Sequence, residues 1–213
     1  MNNKYFQSKQ RLSFDSFASF LELIEKEDKL IRIDFPVDPY LEITEIANRV
    51  IKKGGPALLF ENVKGSPFPL AINVFGSKKR MSLALGVENI NEIVEETKKF
   101  FKIPPPKDIK DKFNLLLRFA STAKILPKIT SFPAPSQEIT MDKPDLDKLP
   151  IIHCWPKDAG KFITFPLVII KDPESKIRNC GMYRLQKFSK DTIGIHWQIH
   201  KDGRRIFNKY KLL

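Results

Sequence analysis

The stretch Asn179-Cys-Gly-Met-Tyr-Arg184 is followed closely by Gly194-Ile-His-Trp-Gln-Ile-His200. Both stretches are strand-like, and so is the apolar run at residues 162–170 that precedes them. Turn residues separate the three segments, as expected when consecutive strands pair in one sheet. The last third of the chain is therefore predicted to contain three strands, at residues 162–170, 179–185 and 192–200, which begin a β-sheet or barrel.

The part of the chain before these strands alternates between helical and strand patterns. A first amphipathic helix is predicted to begin after Ser13 or Asp15 and to end near Lys29. Further strands are predicted at residues 30–35, 57–60 and 70–75, and further helices around 43–50 and at 78–85, 90–101 and 108–124. This alternation predicts an α+β fold with an amino-terminal α/β domain at residues 1–125 and a second domain at 126–213.

Composition limits the class of protein. The chain has 213 residues and a formal net charge of +12, which fits either a diffuse solubilising surface or a patch for polyanions. No apolar run approaches the roughly 20 residues of a membrane span, and residues 1–12 lack the apolar core of a secretion signal. We therefore expect a cytoplasmic protein without a transmembrane segment. Cys154 and Cys180 lack the spacing of a metal or redox pair and are expected to be buried thiols.

A row of polar side chains marks the last predicted strand. On an extended strand, His196, Gln198 and His200 project to one side, and such a row accompanies a metal, a phosphate, a polar network or simply solvent. The two histidines are about 13 Å apart along an extended chain, so they are not expected to ligate one ion. The spacing alone leaves these alternatives open.

Arg184 is the second candidate functional residue. It lies in an apolar segment, where a guanidinium needs a carboxylate or phosphate partner, and a plain cross-strand ion pair would also satisfy it. Neither the glycine-rich dinucleotide motif nor the P-loop motif is present, so the sequence does not support a nucleotide site of either type.

Four blocks together resemble the UbiD family of decarboxylases. They are Leu149-Pro-Ile-Ile-His-Cys-Trp-Pro156, Phe162-Ile-Thr-Phe-Pro166, Arg178-Asn-Cys-Gly-Met-Tyr-Arg-Leu-Gln186 and Gly194-Ile-His-Trp-Gln-Ile-His-Lys-Asp-Gly203. Upstream, Lys53-Gly-Gly-Pro-Ala-Leu-Leu-Phe-Glu-Asn-Val63 and Asn73-Val-Phe-Gly-Ser77 are similar to the family's amino-terminal domain. The likeness is strongest to the branch assigned to menaquinone biosynthesis, and it implies that the second domain begins a flavin-binding split β-barrel.

The resemblance implies a non-oxidative decarboxylase of aromatic, naphthoate or α,β-unsaturated acids. Its cofactors would be prenylated flavin mononucleotide (FMN), Mn²⁺ or Mg²⁺, and K⁺. By the family's motif, Asn179 and His200 match the metal ligands, and Arg184 matches the arginine that holds the substrate carboxylate. The residues that match flavin-contacting positions are Thr164, Met182, Tyr183, Arg184, His196, Trp197, Gln198, Lys201 and Asp202.

The resemblance also implies partners and a limit. The expected partners are a small aromatic acid as substrate, a flavin prenyltransferase that supplies the cofactor, and further copies of the chain in a homo-oligomer, with no nucleic acid. The family's third metal ligand, a glutamate, and its acidic proton donor lie beyond the region matched here. An inactive chain that binds flavin or polyanions is therefore the alternative, because losing a general acid typically costs about 10²–10⁴ in rate.

Overall fold

A computed structural model of the chain describes residues 14–101 and 134–212. By their contacts these residues divide into two compact units, one of residues 82–101 and 134–142 and the other of residues 14–81 and 143–212. Helices and small sheets are mixed, which confirms the α+β class. The domain boundary predicted near residue 125 and the helix predicted at 108–124 lie outside the described residues, and both stay predictions.

The first half of the described chain contains four helices and three strands in the predicted order. They are α1 (Phe17–Lys26), β1 (Leu30–Ile33), α2 (Glu42–Lys52), β2 (Ala57–Phe60), β3 (Leu70–Ile72), α3 (Lys78–Ala84) and α4 (Ile90–Phe101). The main differences are at the ends, where α1, β1 and β3 are each shorter than predicted. Each of these ends is set by local hydrogen bonds or turns that apolar periodicity does not report.

The start of α1 differs from the prediction. Ser16, and not Asp15, is the N-cap, and Ser13 lies outside the described residues. The backbone N–H of Ser19 donates to Ser16 Oγ at 3.1 Å. In return, the backbone N–H of Ser16 donates to Ser19 Oγ at 3.3 Å. This reciprocal pair satisfies two backbone donors at the helix end, whereas a cap at Ser13 or Asp15 would leave Ser16 inside the helix.

A small mixed sheet forms the core of the larger unit. Strand β2 is central, pairing in parallel with β1 and antiparallel with β3. All four residues of β2 are buried, as expected for a strand covered on both faces. Leu58 and Phe60 of this strand form one buried cluster with Val37, Ile43, Val63, Ile152 and Cys154. Ile152 and Cys154 join this core from the later part of the chain and so fix the segment that leads to the site.

The three strands predicted in the last third are five short strands in the structure. They are β4 (Phe162–Ile163), β5 (Leu167–Lys171), β6 (Arg178–Met182), β7 (Leu185–Lys187) and β8 (Ile193–Ile195), and a final helix, α5, covers Asp202–Tyr210. Strands β4, β7 and β8 form one antiparallel sheet in that order, and β5 pairs with β6. In the part of the chain that the structure describes, these sheets are open and do not close into a barrel.

The prediction of a strand through His200 is wrong. Strand β8 ends at Ile195, and residues 199–200 lie in a turn that leads into α5. The backbone N–H of Lys201 donates to the carbonyl of Gln198 at 3.1 Å, so the chain reverses here and does not extend. His196, Gln198 and His200 therefore do not share the face of one strand.

Helix α5 is held against the β5–β6 hairpin by a buried carboxylate. Asp172, at the end of β5, accepts hydrogen bonds from Lys209 at 3.0 Å and from the backbone N–H groups of Glu174 and Ser175. The hydrogen bond from Lys209 is the largest cause that lowers the pKa of Asp172, to about 2, and the two backbone donors lower it further.

No helix within residues 14–101 or 134–212 is both long and apolar enough to cross a membrane.

Candidate functional site

The ends of three strands bring the predicted site residues together. Strand β6 ends at Met182, β7 begins at Leu185, and β8 ends at Ile195. Leu185 and Ile195 are partners in the antiparallel pairing, so Arg184 and His196 are the next residues beyond the last pair. The backbone N–H of His196 donates to the carbonyl of Arg184 at 3.0 Å, which fixes the two residues side by side.

A cavity of about 270 Å³ opens at this junction. Its lining consists of Met182, Tyr183, Arg184, His196, Gln198 and Lys201. All six belong to the set that the sequence predicted for cofactor binding, although they come from two separate segments. The lining combines two basic side chains with an imidazole and an amide, which suits a ligand with an anionic group and hydrogen-bond acceptors.

Arg184 is held by two contacts that the sequence did not identify. Its Nη2 lies 3.2 Å from Asp158 Oδ2, and its guanidinium carbon lies 3.7 Å from the centre of the Phe162 ring. The apolar context of Arg184 indicated that it needs a carboxylate or phosphate partner. The sequence could not say which one, because Asp158 lies 26 residues earlier in a loop.

A second cavity, of about 290 Å³, shares the Arg184 and His196 walls with the first. Its other lining residues are Phe162, Gln186, Phe188, Gly194 and Ile195. The Phe188 ring lies where a side chain on Gly194 would be, 2.6 Å from an ideal Cβ position. Arg184 and His196 thus line both a more polar cavity and a cavity with aromatic walls.

Tyr183 is a buried residue in the lining of the first cavity. Its hydroxyl accepts a hydrogen bond from the backbone N–H of Gly203 at 2.9 Å, which ties the first turn of α5 to the end of β6. A Cβ atom on Gly203 would lie 2.4 Å from the Tyr183 hydroxyl, and one on Gly181 would lie 2.7 Å from the Tyr183 ring. Both glycines are therefore required by the position of this ring.

Lys201 lies beside Met182 and Tyr183 at the end of β6. Its Nζ donates to the carbonyl of Met182 at 2.8 Å and lies 4.9 Å from the centre of the Tyr183 ring. An ammonium group has three donors, so a carbonyl partner leaves donors for a ligand in the cavity. These contacts place the charge of Lys201 beside the strand end that carries Arg184.

Three predicted flavin contacts lie outside this cavity. Trp197 packs between Tyr183 and Phe207, with ring centres 5.1 and 5.4 Å away. Asp202 begins α5 and pairs with Arg205 in the next turn. Thr164 lines a separate, largely apolar cavity of about 300 Å³ beside β3 and β4. Their assignment to a flavin stays a prediction.

The two predicted metal ligands differ in their surroundings. Asn179 lies on β6, and its Oδ1 is buried with no hydrogen-bond partner in the described part of the chain. His200 is exposed in the turn before α5. No group of three or more His, Cys, Asp or Glu residues that could hold a metal exists within residues 14–101 and 134–212.

The residues present fit the expected groups to different degrees. For an anionic flavin, the charged and amide side chains of the first cavity provide a fitting donor set. For a divalent metal, the unpartnered Oδ1 of Asn179 is a fitting hard oxygen ligand, and His200 adds an imidazole. An amide and an imidazole alone bring no negative charge, so the metal would need anionic ligands in addition.

The two cysteines differ, which corrects the prediction that both are buried. Cys154 is buried, whereas Cys180 is exposed on β6 because this face of the β5–β6 hairpin is open. Burial raises the pKa of the Cys154 thiol, and the charge of Asp158 raises it further, while Arg184 acts in the opposite direction. The charges of Asp158 and Arg184 therefore have opposite effects on the pKa of the buried Cys154 thiol.

Comparison with known protein families identifies the two halves of the chain. Residues 21–97 match the 3-octaprenyl-4-hydroxybenzoate carboxy-lyase N-terminal domain of the UbiD family. Residues 128–212, which carry the cavity, match the Rift-related domain of the same carboxy-lyase. The chain belongs to the UbiD family. The UbiD Rift-related segment includes every predicted site residue from Thr164 to Asp202.

Sequence relatives extend the likeness along most of this chain. An uncharacterized protein of Aquifex aeolicus is 45% identical over 196 residues, which is 91% of this chain and 40% of the relative. An uncharacterized protein of Archaeoglobus fulgidus is 44% identical over 200 residues, or 93% of this chain and 40% of the relative. The chain thus spans about two fifths of the length of these relatives.

Solved structures of UbiD-class enzymes share the fold. One is the vanillic acid decarboxylase of Sedimentibacter hydroxybenzoicus in its closed form, with a TM-score of 0.74 and 26% identity over 94% of this chain and 41% of that chain. Another is an evolved dimeric form of HmfF from Pelotomaculum thermopropionicum in complex with prenylated FMN (prFMN), with a TM-score of 0.71 and 26% identity. That match covers 93% of this chain and 42% of the HmfF chain.

Proposed function

We propose that the chain provides the flavin-binding part of a UbiD-type decarboxylase. The reaction would be the non-oxidative removal of CO₂ from an aromatic, naphthoate or α,β-unsaturated carboxylic acid in quinone biosynthesis. The observation that carries the proposal is the single cavity in which Met182, Tyr183, Arg184, His196, Gln198 and Lys201 converge. The solved HmfF relative, which contains prFMN, supports the choice of cofactor.

Within the cavity, the charged residues would bind and orient the ligand. Arg184 and Lys201 complement the negative charge of a phosphate or a carboxylate, and Gln198 and His196 add hydrogen bonds. Arg184 would also hold the carboxylate of the substrate, because its guanidinium lines both the polar cavity and the aromatic one. When bound, prenylated FMN would supply the electron acceptor that the protein's own side chains lack.

The metal would be held on the Asn179 side of the site. Asn179 Oδ1 needs a partner because a buried acceptor without one is costly, and Mn²⁺ or Mg²⁺ would provide it. His200 would be the second ligand from this chain, and a bound phosphate would bring negative charge. K⁺ completes the proposed set of ions.

The remaining parts of the proposal concern partners and location. A flavin prenyltransferase would supply the cofactor, the substrate would be a small aromatic acid, and the chain would act in a homo-oligomer in the cytoplasm. The dimeric form of the HmfF relative supports the proposed homo-oligomer.

The test is reconstitution. The protein is produced in cells that also express a flavin prenyltransferase, purified, supplied with Mn²⁺ and K⁺, and examined by absorption spectroscopy for bound flavin. Aromatic and naphthoic acids are then added, and substrate loss is followed by liquid chromatography. We expect the purified protein to contain bound flavin, and we expect Arg184→Ala to weaken flavin binding. A protein that neither retains nor binds flavin would contradict the proposal.

A second candidate is flavin binding without turnover by this chain alone. The observation that favours it is that the described residues contain no group of three metal-ligating His, Cys, Asp or Glu side chains. Retained flavin with no loss of any acid would support this candidate. Binding of arbitrary DNA that weakens steeply with salt, with no retained flavin, would instead indicate a polyanion-binding protein.

A further inference from the structure

The loop that carries Asp158 is fixed to the strand next to Arg184. The backbone N–H of Asp158 donates to the carbonyl of Trp155 at 3.0 Å. Two residues of the loop then accept hydrogen bonds from β7: Ala159 from the side chain of Gln186 at 3.2 Å, and Lys161 from the backbone N–H of Lys187 at 2.9 Å. The carboxylate of Asp158 is therefore held at a set position relative to β7.

The surroundings of the ion pair are unequal. The side chain of Asp158 is 16% exposed, and that of Arg184 is 44% exposed. A mostly buried carboxylate on a fixed loop thus contacts one end of a guanidinium whose remaining surface faces the cavities. The Phe162 ring covers one face of the guanidinium at 3.7 Å, so the group has an ionic contact at its edge and an aromatic contact on its face.

We propose that Asp158 is a positioning residue for Arg184, holding the guanidinium against Phe162 before any ligand binds. An unrestrained arginine loses rotamer freedom when it binds an anion, and a restrained one loses less. The inference rests on the proposed function, in which Arg184 binds flavin or substrate. It adds a residue that does not itself have to contact either.

The sign of the coupling between the two residues distinguishes positioning from simple neutralisation. If Asp158 positions Arg184, then Arg184 contributes more to ligand binding when Asp158 is present. If Asp158 only neutralises Arg184, its removal frees the positive charge, and Arg184 then contributes more when Asp158 is absent. A double-mutant cycle on FMN binding measures this sign directly.

The experiment titrates FMN, followed by flavin fluorescence, into the unmodified chain, Arg184→Ala, Asp158→Ala and the double variant. We expect Arg184→Ala to weaken FMN binding about tenfold in the unmodified background, as for a charge-assisted hydrogen bond. In the Asp158→Ala background, the same substitution should weaken binding by less than about threefold. Asp158→Glu should restore most of the Arg184 contribution, because it retains the carboxylate.

A measurement without ligand reads the position of Arg184 itself. The heteronuclear NOE of the Arg184 Nε–Hε group should fall in Asp158→Ala and remain high in the control Asp147→Ala. Asp147 is a matched control because it too is an aspartate in an ion pair, and neither Asp147 nor its partner Lys187 lines the two cavities that Arg184 lines. A purely structural role for Asp158 would lower stability without this selective change.

The outcomes separate the inference from the proposed function. If FMN binds and Arg184→Ala weakens binding equally in both backgrounds, or more strongly without Asp158, the positioning role is wrong and the proposed function stands. If the unmodified chain binds no FMN, the proposed function is wrong. In that case an unchanged NOE in Asp158→Ala overturns the positioning role as well, and a selective fall in the NOE supports it.

Discussion

At the scale of single residues, Arg80 shows how a buried charge can hold a backbone together. Arg80 is 2% exposed, and its guanidinium donates to the carbonyls of Val74, Asn73 and Gly55 at 3.0, 3.0 and 3.3 Å. Burial lowers the pKa of this arginine. Its fork of donors joins the chain after β3 to the turn before β2, which a residue with one donor could not do.

We therefore expect Arg80→Met to destabilise the protein by about 2–4 kcal/mol, because it removes three hydrogen bonds made by a buried guanidinium, including the one to the carbonyl of Val74. Urea unfolding followed by circular dichroism measures the change. Arg49→Met is the matched control: Arg49 is 75% exposed and pairs with Glu45 one helical turn away, so its loss should cost less than about 0.5 kcal/mol. Equal losses in the two variants would contradict this role for Arg80.

The two cysteines give a second prediction at this scale. Cys180 should react readily with iodoacetamide at pH 8, because its thiol is exposed. Cys154 should react far more slowly, since burial limits access and raises the pKa of its thiol. Peptide mapping by mass spectrometry reads the two sites separately, and unfolding in urea should remove the difference. Similar rates at both sites in the folded protein would refute the burial of Cys154.

At the scale of elements, helix α5 is joined to the hairpin by charge. Lys209 bridges Asp172 and Glu174, at 3.0 and 2.6 Å, and Asp172 also lies 3.6 Å from Arg205. The Lys209 contacts lie at the far end of α5 from Gly203, whose backbone N–H donates to the Tyr183 hydroxyl. The helix is therefore fixed at both ends, and its first turn is kept beside the cavity.

The lowered pKa of Asp172 predicts an acid-sensitive contact. A carboxylate whose folded pKa is about 2, below its ordinary value of 3.8, stabilises the fold above pH 4 and loses this contribution as the pH falls from about 4 to 2. Asp172→Asn should lower the thermal midpoint at pH 7 and flatten its pH dependence between pH 4 and 2. An unchanged slope in this range, measured by circular dichroism, would be inconsistent with the lysine contact.

The elements also show what the sequence could predict. The apolar periodicity of α2 and α4 and the continuous apolar run of β2 predicted their types and positions well, because burial on one face or on both sets those patterns. The long strands predicted at residues 162–170 and 179–185 break in the structure. Pro166 lacks a backbone donor, and Tyr183 turns inward to meet Gly203, a contact between segments 20 residues apart. Local patterns contain no information on such contacts.

The lining of the candidate cavity was predictable in its members more than in its geometry, and the role of these residues in flavin binding stays a prediction. The resemblance to UbiD proteins named the six residues of the cavity, but the reasoning from strand alternation misplaced His200. Asp158 was missed because a single loop carboxylate has no spacing signal, although the need of Arg184 for such a partner was foreseeable. Pairings over long sequence separations require the folded chain.

At the scale of the whole molecule, the described chain combines a UbiD amino-terminal domain with a Rift-related domain that carries the cavity. The second domain presents two open sheets in the described ranges. The charged side chains of the cavity are Arg184, which follows β6, and Lys201, which precedes α5. Every other step of the proposed reaction depends on flavin binding in this cavity.

The most direct test of flavin binding in this cavity is a crystal structure of the chain with FMN. We predict electron density for the flavin in the cavity lined by Arg184, His196, Gln198 and Lys201, with at least one anionic group of FMN within hydrogen-bond distance of Arg184 or Lys201. Density for FMN at another place, or an ordered cavity without FMN at saturating concentration, would contradict the claim.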